Sequence, residues 1–334
     1  MPAREFAMIV QETSYGVPVA SPTLGTNAFY LRLSEDNSFT MQDVPLVGVV
    51  NYGGGLATPA CPYSDQNTCE GQLSGVLYAG SDGVFAKFMM DWALTQINSG
   101  RTTPWTTTDS AGVMPPTDLA SVSIYHAIQR SDGTYDRRRY GGVKVHSGTL
   151  TQSRQDPLLK YSFQLMGIRD DLNAAGAVAY PDATEFPAPA ETDYLCNPYL
   201  FSHTSGLLKI GSVRTQYDSA SISWTNAMAP KIFETRHMVL DKFCGRNSKL
   251  SCNLYMKASP DDLATLKALG ENDTEISWDN GSWVLKIDFN AKNLFAQLQR
   301  QLPNNSTYSW NATIQNYFDP ATASDLVVSL AASP

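Results

Sequence analysis

Apolar residues recur at every second position through much of the chain, with turn residues between the runs. That period marks half-buried strands, whose side chains alternate between two faces. Val122, Ile124 and Ile128 line one face of such a segment, and Tyr161, Phe163 and Leu165 line another. Ile222 with Trp224, Ile287 with Phe289, and Trp310 with Ala312 and Ile314 repeat the pattern later. Ser131-Asp132-Gly133 and Asp279-Asn280-Gly281 mark two tight hairpins, because glycine accepts the positive φ of primed turns. The pattern predicts an antiparallel, mainly β protein.

Helical spacing is rarer. Val84 to Ile97 sets Phe85, Phe88, Met89 and Trp92 on one stripe behind a Ser81-Asp82 start, which predicts an amphipathic helix laid on a sheet. Ser259-Pro260-Asp261-Asp262 predicts a second helix, with Ser259 as cap, Pro260 in the first turn and acids at the positive end. Leu263, Leu266 and Leu269 would face the core and Gly270 would end it. Ala291 to Leu302, ahead of Pro303, predicts a third.

Three stretches carry little periodicity: 98–118, rich in Ser, Thr and Pro; 171–198, rich in Ala, Pro, Asp and Asn; and Gln42 to Asn67, with Gly53-Gly54-Gly55 and three prolines. A loop as long as the last is uncommon without a function or partner to order it. At 334 residues the chain exceeds the usual size of one domain. The stretch 171–198 is the expected linker between domains at 1–170 and 199–334. The halves share an order of signals. Leu73-Ser74-x-x-Leu77-Tyr78 precedes the first helix and Leu250-Ser251-x-x-Leu254-Tyr255 the second, while Tyr161-Ser162-Phe163 returns as Tyr308-Ser309-Trp310. Shared order points to duplication.

Composition narrows the function. Apolar residues make up 43% and charged residues 17%, an ordinary globular balance. A net charge of −8 argues against a phosphate-binding surface, which needs clustered Lys and Arg, and the one basic run is Arg137-Arg138-Arg139. Phe6 to Val10 is too short for a signal-peptide core and no run is long enough to span a membrane, so folding in a cytoplasm is expected. Five cysteines with no CxxC pair fit neither a zinc site nor a full disulfide framework. Cys61 and Cys69 could bridge in an oxidising setting, but free thiols are expected in a reducing one.

With those features read, the sequence resembles the phage tail tube proteins, in the duplicated form of some siphophages. Glu12 to Val19, ETSYGVPV, is similar to that family's E-x-x-Y-G-x-x-V opening. Asn197-Pro198-Tyr199 leading into Leu207 to Ser212, and the strand ending Ile222-Ser223-Trp224-Thr225-Asn226, extend the resemblance. It implies two small β-sandwich or half-barrel domains, each with one flanking helix, in a subunit whose duplicated chains close a pseudo-hexameric ring as trimers. Such rings stack into a tube for DNA passage, in a virion tail assembled in the host cytoplasm. It further implies self-association, a tape-measure protein inside the tube, and tail tip and terminator proteins at its ends, with no membrane. Tyr52, Gly53, Gly54 and Gly55, and the hairpin at Asp132 and Gly133, become expected inter-ring contacts. Arg137, Arg138 and Arg139 become expected subunit contacts. Net acidity would let the lumen repel or ignore DNA.

The chemistry of the sequence offers no rival of equal weight. His126, His146, His203 and His237 lie at no ligand spacing, and no GxSxG, HExxH, Walker or GxGxxG motif occurs. No catalytic residue, metal or cofactor is therefore expected. Glu271, Asp273 and Glu275 surround a turn, where solvated acids are the ordinary case, though paired carboxylates beside aromatics keep a carbohydrate-active or carbohydrate-binding reading open. Another β-sandwich virion protein, a head decoration or fibre domain, is the other alternative.

Overall fold

The computed structural model describes residues 5–19, 22–33, 38–44, 47–49, 62–64, 68–80, 83–94, 110–113, 121–169, 181, 183–190, 200–210, 213–226, 230–232, 238–240, 246–255, 272–301, 309–317 and 324–333. The first half runs β1 (Glu5–Ser14), β2 (Val17–Pro18), β3 (Ala28–Arg32), β4 (Ser38–Val44), β5 (Val47–Val49), β6 (Pro62–Ser64), β7 (Thr68–Val76), α1 (Val84–Leu94), β8 (Ser110–Val113), β9 (Val122–Gln129), β10 (Tyr135–Ser153) and β11 (Lys160–Arg169). The second runs β12 (Gly206–Ile210), β13 (Val213–Asn226), β14 (Pro230–Ile232), β15 (Met238–Leu240), β16 (Arg246–Tyr255), β17 (Asn272–Asp279), β18 (Trp283–Gln301), β19 (Ser309–Asn316) and β20 (Ser324–Ala332). The protein is mainly β, as the alternation predicts. The expected second helix lies outside the described residues.

The same pairing scheme occurs in both halves. In the second, β12, β17, β18, β19, β16 and β13 pair in succession, and β13 returns to β12 to close the circuit. In the first, the circuit is β1, β9, β10, β11, β7 and β4, with β3 pairing back to β1. β13 does alone what β3 and β4 do together: Thr215 pairs with Leu208 of β12, while Ser219 to Asn226 pair with β16. A two-stranded arm leaves each half at the same point, β5–β6 between β4 and β7, and β14–β15 between β13 and β16.

Long strands let one sheet serve two layers. β10 pairs with β9 up to Val143 and with β13 from Ser147, so it leaves one layer and enters another along its length. β18 likewise pairs with β17 and β20 early and with β19 from Asn293. Here the structure corrects the expected third helix: 291–301 is the later part of β18. A β-bulge between Phe295 and Gln297 inserts an extra residue, so the positions opposite Ile314 and Ala312 are Phe295 and Leu298, three apart as on a helix. The local spacing is helical, but the partner strand decides the backbone.

The main core fills the space between layers. α1 lies in it with every residue from Phe85 to Leu94 buried, against β10 on one side and β8 and β20 on the other. Even its polar pair is internal: Lys87 Nζ donates to Asp91 Oδ2 at 3.2 Å across one turn. A second cluster covers the outer face of the first half, where Phe186 inserts among Phe6, Tyr30 and Tyr125. The segment 183–190, within the expected linker, is thus docked on β1, β3 and β9.

The halves are joined by a continuous antiparallel ladder from Ser147↔Thr225 to Ser153↔Ser219. Gly148 leaves the space that the Trp224 ring occupies. Asn226 donates from one amide to Ala93 O of α1 and to Val145 O, both at 2.9 Å. Gln152 accepts from Tyr217 Oη at 3.0 Å and Trp278 Nε1 at 2.6 Å. These buried polar bonds fix the register of one half on the other.

Candidate assembly interface

The ladder lines up eight strands in the order β18, β19, β16, β13, β10, β11, β7 and β4, four from each half. One face of this wall supplies the core through Phe39, Leu73, Phe163, Leu150, Ile222, Leu250 and Ile314. The other is polar and hydroxyl-rich by the same alternation. It presents Ser38, Thr40 and Gln42 on β4, Gln72 and Ser74 on β7, Ser162 and Gln164 on β11, and Ser147, Thr149 and Thr151 on β10. Ser221, Ser223 and Thr225 follow on β13, Ser251 and Asn253 on β16, Asn311 and Thr313 on β19, and Gln297 and Gln299 on β18. Neighbours satisfy one another: Ser38 and Ser74 hydroxyls lie 2.7 Å apart, and Gln72 Nε2 donates to Ser162 Oγ at 2.8 Å. The face is hollowed, with concavities of about 540 Å³ bordered by Thr151, Ser221 and Thr313 and about 820 Å³ bordered by Thr40, Gln72 and Gln164.

Both ends of the wall are open edges among the described residues. β4 pairs only with β7, and β18 beyond Asn293 pairs only with β19. Unpaired edge N–H and C=O groups invite another strand. The internal joint shows what such an edge accepts, because β10 and β13, the counterparts of β18 and β4, meet there.

The register identifies the counterparts residue by residue. Leu73 pairs with Phe163 and Leu250 with Ile314, so laying one LSxxLY strand on the other puts Phe163 on Ile314 and not on Trp310. The Tyr-Ser-aromatic match is therefore displaced along its strand. Ser74↔Ser38 then falls on Ser251↔Ser221, which aligns Ser38-Phe39-Thr40-Met41-Gln42 with Ser221-Ile222-Ser223-Trp224-Thr225. That alternation of hydroxyl and apolar positions was in the sequence and is the better repeat.

The opening motif turns out to be structural. Glu12, fully buried, accepts from Gly16 N at 2.9 Å and Ser121 Oγ at 2.6 Å on one oxygen, and from Ser123 Oγ at 2.8 Å and Gly142 N at 2.7 Å on the other. Gly142 adopts φ +58°, and a Cβ there would stand 2.6 Å from the Tyr15 ring. Lys144, itself buried, lies 5.1 Å over that ring. Glu12, Tyr15 and Gly16 thus pin the end of β1 to β9 and β10.

The remaining predicted residues are dispersed. Asp132 and Gly133 sit at the exposed tip of the β9–β10 hairpin, where Asp132 Oδ1 accepts from Thr134 N at 2.9 Å. Burial is absent there, and these bonds hold the Asp132 carboxyl below its ordinary pKa, the Thr134 hydroxyl foremost. Tyr52, Gly53, Gly54 and Gly55 lie outside the described residues. Arg137 Nε donates to Phe186 O at 2.9 Å and Arg139 pairs with Glu185, so both hold the docked segment. Arg138 pairs across the strands with His126. Cys69 and Cys252 are buried, the latter with its thiol pKa pushed up to about 12 by burial; Cys61, Cys196 and Cys244 lie outside the described residues.

The histidines are accounted for differently. His126 Nε2 lies 2.7 Å from Glu5 Oε1, and His146 Nδ1 has no hydrogen-bond partner among the described residues. Burial is the main influence lowering the His126 pKa below its ordinary value, against the opposing pull of Glu5. A lowered folded value means that stability is fully present above the unfolded pKa and is lost as pH falls through the folded one. Denaturant midpoints from pH 7.5 to 5 are expected to fall more steeply for the wild type than for His126→Gln; parallel profiles would remove His126 as the cause.

Among the described residues, no three His, Cys, Asp or Glu side chains gather as metal ligands would, and no helix is long and apolar enough to cross a membrane. Glu275 is held between Lys209 at 3.3 Å and Lys286. Although burial opposes it, the two lysines keep the Glu275 carboxyl below the usual carboxylate range, the state of a structural ion pair.

No curated protein matches the chain. A family model described as phage tail tube protein matches residues 3–298, which takes in the whole first circuit and the second up to β18, with β19 and β20 beyond it. The chain belongs to the phage tail tube protein family.

Proposed function

We propose that the chain closes pseudo-hexameric trimeric rings by repeating, between copies, the joint it makes within itself. The observation that carries this is the match between the open edges and the internal ladder. Thr149↔Ser223, Leu150↔Ile222 and Thr151↔Ser221 have as counterparts Gln297 opposite Thr40, Leu298 opposite Phe39, and Gln299 opposite Ser38 of the next copy. Each substitutes like for like, polar residue for polar and apolar for apolar, in the same alternation along the strand. A head-to-tail contact of this kind closes when its rotation permits, and two units per chain make three chains suffice for six positions.

In this reading the domains are 1–170 and 199–334 with 171–198 between them, and the polar wall lines a lumen through which DNA leaves the virion. Rings stack through the arm regions, Tyr52 to Gly55 included, and through the hairpin at Asp132 and Gly133. The equivalent hairpin of the second half is already engaged, since Ser333 N donates to Ser282 O at 2.8 Å and Ser333 Oγ to Asp279 Oδ2 at 3.1 Å. Of the three arginines, Arg138 is assigned to the neighbouring subunit while Arg137 and Arg139 retain the docked segment. The tape-measure protein, tip and terminator are the partners that a tail tube subunit meets, and assembly takes place in the host cytoplasm. Family membership supports a structural role in the virion tail in place of a carbohydrate-active one.

The register is open to a direct test. Directly opposed positions in an antiparallel pair bring Cα atoms within about 4.5–5.5 Å, inside the roughly 4.4–6.8 Å span of a disulfide. Ser38→Cys with Gln299→Cys is expected to give intermolecular cross-links ending at a covalent trimer on a non-reducing gel, while each single variant does not. A ladder that runs past trimer, or equal cross-linking by Ser38→Cys with Gln297→Cys, would refute the joint.

A further inference from the structure

The wall is nearly free of charge although the chain is acidic. Of the wall positions that reach solvent on the described strands, the charged ones are Glu70, Lys160 and Lys249; Lys144, in the same row as Glu70, is buried beneath the Tyr15 ring. Lys160 Nζ is neutralised by Asp156 Oδ2 at 2.6 Å. Glu70 and Lys249 are exposed and form no ion pair among the described residues. They belong to corresponding strands, β7 and β16, yet do not correspond. Lys249, just before Leu250, has Gln72 as its counterpart in the first half, and Glu70 has Asn247 in the second.

We propose that the two halves carry opposite single charges so that the lumen wall cancels itself, and that DNA passes a neutral hydroxyl and amide surface and not a repelling acidic one. This rests on the tube reading above. In a ring of identical single units any lumenal charge would recur at all six positions with one sign. A duplicated chain can place an acid at three positions and a base at the other three. Removing either leaves one sign repeated along every ring of the tube. A surplus of cations binds phosphate by counterion release, with log affinity falling about 0.9 per log unit of salt for each contact. A surplus of acids raises a barrier to the same polyanion.

The test uses assembled tubes of wild type, Glu70→Gln, Lys249→Gln and the double variant, checked for normal tube morphology by negative-stain microscopy. Retention of a short labelled duplex DNA is measured by co-sedimentation at about 50 and 200 mM salt, and DNA release is timed from virions carrying the same variants. Glu70→Gln tubes are expected to retain duplex at the lower salt and lose it more than about tenfold at the higher, as three contacts would. Their virions should release DNA more slowly. Lys249→Gln tubes should retain none, and the double variant should return to wild-type retention and release. Strong retention by wild-type tubes, or a double variant that behaves like Glu70→Gln, overturns cancellation while leaving the tube intact. A wild-type chain that forms neither rings nor tubes overturns the tube reading first.

Discussion

Glu12→Ala is expected to destabilise the fold by about 3–5 kcal/mol, because removing one partner leaves several buried donors unmatched at once. Gly16 N and Gly142 N are fixed by the backbone and cannot turn elsewhere, whereas the Ser121 and Ser123 hydroxyls can rotate. Glu12→Gln separates size from chemistry. Its carbonyl oxygen can serve only one of the two backbone N–H groups, and its NH2 must face the other, so a loss of about 1–3 kcal/mol should remain. Chemical denaturation of the purified chain checks both values. A Glu12→Gln variant as stable as wild type would show that one of the four hydrogen bonds carries no weight. Because Gly142 and Ser123 belong to β10 and β9, hydrogen exchange should rise first at the β1–β9 ladder.

Gly148→Val should be as damaging for the opposite reason. A Cβ on Gly148 would stand 2.2 Å from the Trp224 ring, on the cross-strand pair at the joint between the halves. Trp224 is packed against Phe163 with ring centroids 5.9 Å apart, so it has little room to withdraw. Overpacking of this kind costs about 1–3 kcal/mol or more, and here it acts on the ladder that builds the wall. Loss of stability together with loss of tubes is expected, and Trp224→Leu in the same chain should restore part of both. Stability unchanged in Gly148→Val would mean that the ladder shifts register freely.

Both sites show where sequence patterning stops. ETSYG was noticeable as a string and carried the family resemblance, but nothing in it says that Glu12 reaches Ser121, Ser123 and Gly142, more than a hundred residues away. Gly148 is one glycine in a strand, and its necessity depends on which tryptophan lies opposite. The mislaid helix at 291–301 has the same origin. A bulge changes the spacing of the positions opposite Ile314 and Ala312, and only the pairing with β19 reveals it. The three arginines looked like one surface feature, yet alternation sends Arg137 and Arg139 to the docked segment and Arg138 to the other face.

Alternation of apolar and polar residues is a local property, so the sequence by itself determined the β class, α1 and the hairpins at Gly133 and Gly281. It also determined the hydroxyl-rich composition of one strand face, visible in Ser38-x-Thr40-x-Gln42 and Ser219-x-Ser221-x-Ser223-x-Thr225. Which strands stand side by side was decided by the tertiary structure, because β pairing joins residues far apart in the chain and many registers satisfy the same alternation. Only that pairing gathers the scattered hydroxyl faces into one wall, leaves β4 and β18 as its two open edges, and sets Glu70 and Lys249 on it as charges of opposite sign.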